Sequence, residues 1–225
     1  MTASEVVAIT LLTARVSLVS TAAILVPGVA TGYLLARGRF RGKALLQTLV
    51  SLPMVLPPVA VGLLLVLALS PRSAVGAAAE SLFGGRILLT WWAAAAASAV
   101  MSFPLLVLGA REGFSSVPIR LEQAAKSLGA RPARVFLAVS LPLAARGILY
   151  GTVFAFARGL GEFGATTLVA GHIPGETETL ALAIYARIEA FEDGDALLLS
   201  LVSIALALAT TFAAEAFLRK GRRPA

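Results

Sequence analysis

Apolar residues run in five long blocks: Val16–Ala36, Leu46–Ser70, Ile87–Ala110, Gly147–Ala170 and Leu197–Leu218. Each matches the roughly 20 residues that a helix needs to cross the hydrocarbon of a bilayer. Spanning strands would instead give short segments of alternating polarity, which this chain lacks. The pattern predicts an all-α integral membrane protein, a single domain over residues 1–225 with five transmembrane helices.

Two amphipathic stretches lie between the blocks. In Leu121–Pro142, residues Leu121, Ala124, Ala125 and Leu128 recur at i, i+3, i+4 and i+7, one apolar stripe of a short helix. Gly129 stands where that helix can end in the left-handed conformation, and Pro132 suits the first turn of a second short helix, Pro132–Val139. Such a pair of helices can sit in a groove of a soluble partner. It can also rest on lipid headgroups, although that role makes no demand on the spacing of the Gly and the Leu-Pro. The second stretch, Thr177–Phe191, is too short and too charged to cross, and reads as a short helix on the opposite side of the membrane.

Pro53, Pro57 and Pro58 interrupt the second block. They predict either a packing kink or a broken helix lining a transport path, because the freed carbonyls need neighbouring helices or water. Trp91 and Trp92, near one end of the third span, read as interfacial anchors. The first 15 residues read as interfacial too, with Arg15 snorkelling from the start of the first span.

Composition agrees: 58% of residues are hydrophobic, 14% are charged and the mean hydropathy is positive. The formal charge of +7 could suggest a nucleic-acid partner, but its distribution does not. Of 19 basic residues, 14 fall on one side if five spans alternate: Arg37–Lys43, Arg111–Arg146 and the C-terminal Arg219–Arg223 carry them. The other side holds Glu176, Glu178, Glu189, Glu192, Asp193 and Asp195 against Arg187. The positive-inside rule therefore places the N-terminus outside and the C-terminus in the cytoplasm, and no nucleic-acid partner is expected. The N-terminus lacks a basic region and a cleavage pattern, so the first span is expected to stay.

Cysteine is absent and His172 is the single histidine, which leaves no basis for a thiolate or imidazole metal site. His172 reads as a solvated loop residue. No P-loop, Ser-His-Asp set or zinc motif occurs, so no catalytic residue, metal or bound cofactor is expected in this chain. Arg158 and Glu162 are the charges lying deep within a predicted span, four residues apart on one helix face. They form either part of an anion path or a neutralised pair that fixes packing. Gly159, Gly161 and Gly164 beside them allow close helix contact or a flexible gate.

From Gln123 the chain reads QAA, three residues, Gly129, nine residues, Val139, one residue, Leu141-Pro142. This resembles the cytoplasmic EAA loop of permease subunits of bacterial ABC importers, with Gln123 in place of the usual Glu, Glu122 just before it, and Val139 in place of Ile. Phe40-Arg41-Gly42-Lys43, Leu52–Pro58, Ala157–Thr166 and Ile173–Thr177 further resemble molybdate permeases, with sulfate and tungstate permeases close behind. The resemblance covers nearly the whole chain from Val16 onward. It implies a type I importer permease in the bacterial inner membrane, working as a homodimer. Two cytoplasmic ABC ATPase subunits would hold ATP-Mg and dock on a coupling loop containing Glu122, Gln123, Ala124, Ala125, Gly129, Val139, Leu141 and Pro142. A periplasmic oxyanion-binding protein would deliver the substrate. Pro57, Pro58, Arg158, Glu162, Phe163 and Gly164 are then the expected path or gate residues. A channel or secondary transporter working alone and an assembly subunit are the rival classes. The former would need its own coupling-ion site among the few intramembrane acids.

Overall fold

The computed structural model describes residues 1–220, and all of their regular structure is helical. Helix α1, Ala3–Arg37, starts well before the first apolar block, so the first residues of the chain are already helical. The cause is a capping box: Glu5 N–H donates to Thr2 Oγ1 at 3.3 Å and Thr2 N–H donates to the Glu5 carboxylate at 2.9 Å. Arg15 lies in this extended helix with its guanidinium 3.9 Å from the centre of the Trp91 ring. Trp91 is therefore a cation–π partner of Arg15.

The second block is two helices. α2 (Lys43–Val55) and α3 (Pro58–Leu69) meet at Leu56-Pro57 with a bend of 111°. This is a break and not a kink. Proline at both 57 and 58 removes two successive backbone donors, and neither residue can continue the ladder of α2. A short helix not evident from the apolar pattern follows, α4 (Ala74–Phe83), capped by Ser73 and ended by Gly84 at φ 73°.

Helix α5 (Trp91–Ser116) is the central pillar, with Leu106, Val107 and Phe114 fully buried. After α6 (Ile119–Ser127), α7 (Pro132–Val135) runs through a π-helical turn, Phe136–Ser140, into α8 (Leu141–Leu160). The expected separate helix over 132–139 is thus the root of the fourth span, one continuous 29-residue helix from Pro132 to Leu160. The widened turn accommodates Pro142, which has no N–H and whose ring would clash with the carbonyl four residues back. α5 and α8 cross backbone to backbone: a Cβ on Gly109 would lie 2.4 Å from Gly151 Cα, and one on Gly147 would lie 2.4 Å from Gly113 Cα.

The fourth block also breaks. α8 stops at Leu160, and α9 (Gly164–Ala170) follows after Gly161-Glu162-Phe163. α10 (Leu180–Glu189) is the expected short helix, with its start set into the bundle: Leu180 N–H donates to the buried Thr13 Oγ1 of α1 at 2.8 Å. α11 (Asp193–Lys220) closes the fold, exposing Leu197, Leu201, Ile204, Leu208 and Phe212, as suits a lipid-facing helix. Among the described residues four helices, α1, α5, Pro132–Leu160 and α11, are long and apolar enough to cross a bilayer, and the bent α2–α3 pair has the length and apolarity for a fifth when its two halves are taken together. The basic Arg222 and Arg223 lie outside the described residues.

Candidate functional site

The loop segment and the two helix breaks build two linked sites. In the first, α6 ends in a Schellman motif: Ala130 N–H donates to Ala125 O at 3.1 Å and Gly129 N–H to Lys126 O at 2.9 Å, with Gly129 at φ 82°. The predicted stripe faces outward. Leu121 and Ala124 are exposed, Ala125 is half-buried, and Leu128 is 88% exposed. Gln123, at the position of the usual motif Glu, is also exposed, as is Pro142, whereas Val139 and Leu141 are half-buried in the helix root. An apolar face aimed away from its own bundle offers contact area to a partner.

Glu122 does the opposite work. It is 4% exposed and its Oε1 accepts from Arg37 Nε at 2.9 Å and from Ser140 Oγ at 3.0 Å. Arg37 also donates to Val117 O at 2.7 Å. One carboxylate thereby ties α6 to the end of α1 and to the π-helical turn, while Arg37 adds the end of α5. Below this junction Tyr33 packs edge-on against Phe114 and Phe136, with ring centres 5.0 and 4.9 Å away. Sequence reasoning missed Arg37, Ser140 and Tyr33. Arg37 was legible only as a topology charge, and no spacing links residues 85 positions apart.

In the second site the two breaks abut. A Cβ on Gly164 would lie 2.7 Å from Pro58 Cβ, and one on Gly62 would lie 3.0 Å from Ala165 Cα. Pro57, Pro58, Glu162, Phe163 and Gly164, taken from two different spans, are thus neighbours in space. Arg158 pairs with Glu162 Oε2 at 2.7 Å, and Glu162 Oε1 accepts the Ala165 N–H at 2.9 Å. Glu162 is 2% exposed, whereas the Arg158 side chain is 32% exposed. The carboxylate therefore neutralises a cation and satisfies an orphan donor at the start of α9, two tasks that a broken span creates. Arg158 is the more open partner of the pair. The Phe163 ring stacks obliquely on Tyr185 of α10 at 5.0 Å, joining the break to the outer helix.

The loop between α9 and α10 is ordered by buried Thr177, whose hydroxyl accepts from Ile173 N–H at 3.0 Å and donates to Gly171 O at 3.1 Å. His172 is not simply solvated: its Nε2 lies 3.1 Å from Glu178 Oε1, and its side chain is 35% exposed. On the same face Glu192 hydrogen-bonds Arg187 at 2.9 Å and holds its guanidinium above the ordinary arginine pKa.

Comparison with known proteins fits this geometry. The family model described as "Binding-protein-dependent transport system inner membrane component" matches residues 28–223. The molybdenum transport system permease protein ModB of Escherichia coli is 43% identical over 199 residues, covering 88% of this chain and 87% of its own. The molybdate/tungstate transport system permease protein WtpB of Pyrococcus abyssi is 36% identical over 158 residues, covering 70% of this chain and 58% of its own. Among solved structures, the MetNI methionine ABC transporter in inward-facing conformations superposes with a TM-score of 0.74 at 19% identity, covering 99% of this chain and all of the matched one. At that identity the likeness concerns the fold.

Proposed function

The chain belongs to the family of binding-protein-dependent transport system inner membrane components, and from that premise we propose that it is the permease subunit of a molybdate importer driven by ATP-binding-cassette subunits. It sits in the inner membrane as a multi-pass subunit and translocates its substrate by alternating access. The protein works as a homodimer. Two separate cytoplasmic ATPase subunits hold ATP-Mg and dock on α6, and a periplasmic oxyanion-binding protein loads the outer face. The observation that carries this reading is α6, an apolar helix face turned out of the bundle at its basic end and braced from behind by buried Glu122. A channel or secondary transporter has no use for such a face. Identity to molybdenum permeases supports the substrate, and tungstate, a tetrahedral dianion of similar shape, is the second candidate.

ATP binding draws the two docked helices together, and the Glu122 junction passes that motion to α1, α5 and the root of α8. The breaks at Pro57-Pro58 and Gly161–Gly164 form the gate, with Arg158 as the cation that meets the anion and Glu162 limiting how tightly it is held. Two states of one bundle, biased by nucleotide and by the loaded binding protein, suffice for such a cycle.

The test is ATP hydrolysis by the reconstituted permease, ATPase and binding protein with molybdate, tungstate or sulfate. Stimulation by molybdate and tungstate, with sulfate inactive, is expected. Stimulation by sulfate alone replaces the substrate, and solute flux without ATPase overturns the importer reading.

A further inference from the structure

A cavity of about 530 Å³ opens at the acidic end of the bundle between α3, α4, α9 and the chain leading into α5. Its inner wall is apolar, with Val66, Leu69 and Leu168, and Arg72, Glu80 and Arg86 line it as well. Both arginines are exposed, and among the described residues neither guanidinium forms an ion pair. Glu80 Oε1 is buried without a hydrogen-bond partner. A carboxylate oxygen shielded from water in this way calls for a donor. Arg86 and Leu88 of its lining shortly precede Trp91, which lies against Arg15, and such aromatic residues favour the headgroup level of a bilayer.

We infer that this cavity is a binding site for a phospholipid whose headgroup carries a primary ammonium, such as phosphatidylethanolamine, in the outer leaflet. The phosphate sits between Arg72 and Arg86, the ammonium donates to Glu80, and an acyl chain runs down Val66, Leu69 and Leu168. Each lining group then has a partner of its own chemistry. A free oxyanion would satisfy the arginines but would be repelled by Glu80 and would leave the apolar wall unused. The same wall includes Val169, whose carbonyl accepts from Leu89 N–H at 2.9 Å, so a lipid seated here braces α9 where it packs along α3.

The inference does not depend on which anion is carried. The assembled permease–ATPase complex, purified and exchanged into nanodiscs of defined lipid, is examined by native mass spectrometry for retained lipid. Phosphatidylethanolamine is expected to be retained in preference to phosphatidylcholine, which lacks an N–H donor, and to phosphatidylglycerol. Glu80→Gln lowers the preference roughly tenfold, the scale of one charge-assisted hydrogen bond, while Glu80→Asp keeps it. Arg72→Gln with Arg86→Gln weakens retention of every phospholipid. Equal retention of phosphatidylcholine, or unchanged retention in all variants that still assemble, overturns the assignment. Displacement of the lipid by excess molybdate also overturns it and makes the cavity an oxyanion site.

Discussion

Gly164 and Pro58 touch where two membrane spans break, with no room for a side chain: a Cβ at 164 would stand 2.7 Å from Pro58 Cβ. The rigid proline ring cannot swing away as a flexible side chain would. Gly164→Val should therefore wedge α9 from α3, cost about 1–3 kcal/mol by overpacking, and abolish transport while ATPase subunits still bind. Thermal unfolding and uptake in vesicles measure the two effects. Transport at the native rate would mean that the two breaks do not move as a gate.

Glu162→Gln separates capping from charge. The amide oxygen can still accept the Ala165 N–H, but it no longer neutralises Arg158. We expect an assembled complex with loss of about 1 kcal/mol of stability and a clear change in transport rate. Intact assembly and intact transport together would remove both the path role and the packing role of the pair.

Glu122→Ala removes the acceptor shared by Arg37 and Ser140 and leaves a mostly buried guanidinium unpaired. A cost of about 3 kcal/mol follows from breaking such a pair. Because the change also disconnects α6 from α1, ATP hydrolysis in the assembled complex should lose its response to the loaded binding protein. Stimulation equal to that of the unmodified complex would rule out the junction as the route of coupling.

Gly129→Pro places a residue fixed near φ −65° at a position that needs φ 82°, and deletes the N–H that bonds Lys126 O. The end of α6 should unwind while the spans insert normally. Binding-protein-stimulated ATP hydrolysis is expected to vanish, and normal stimulation would sink the docking role of α6.

Leu128→Asp tests the same face without touching the fold. At 88% exposure the side chain holds nothing in place, so stability should change by less than about 0.5 kcal/mol. Co-purification of the ATPase should nevertheless fall sharply, because a charge would enter an apolar groove. Undiminished ATPase binding would move the docking site elsewhere.

Local regularities in the chain foretold much of this. Block length marked out the long apolar helices and Gly129 announced the end of α6, because each depends on near neighbours or on the bilayer. Tertiary packing decided the rest. Nothing local reveals that Arg37 finds Glu122, that Tyr33 joins Phe114 and Phe136, or that the break at Pro58 lies on the break at Gly164. Hydropathy summed Gly147–Ala170 as one span because Gly161 and Phe163 are as apolar as their neighbours. Only the backbone exposes the unpaired N–H at Ala165 that Glu162 satisfies from within the break. Partners distant in sequence are chosen by geometry and by the cost of leaving a buried polar group alone, and that choice is made in three dimensions.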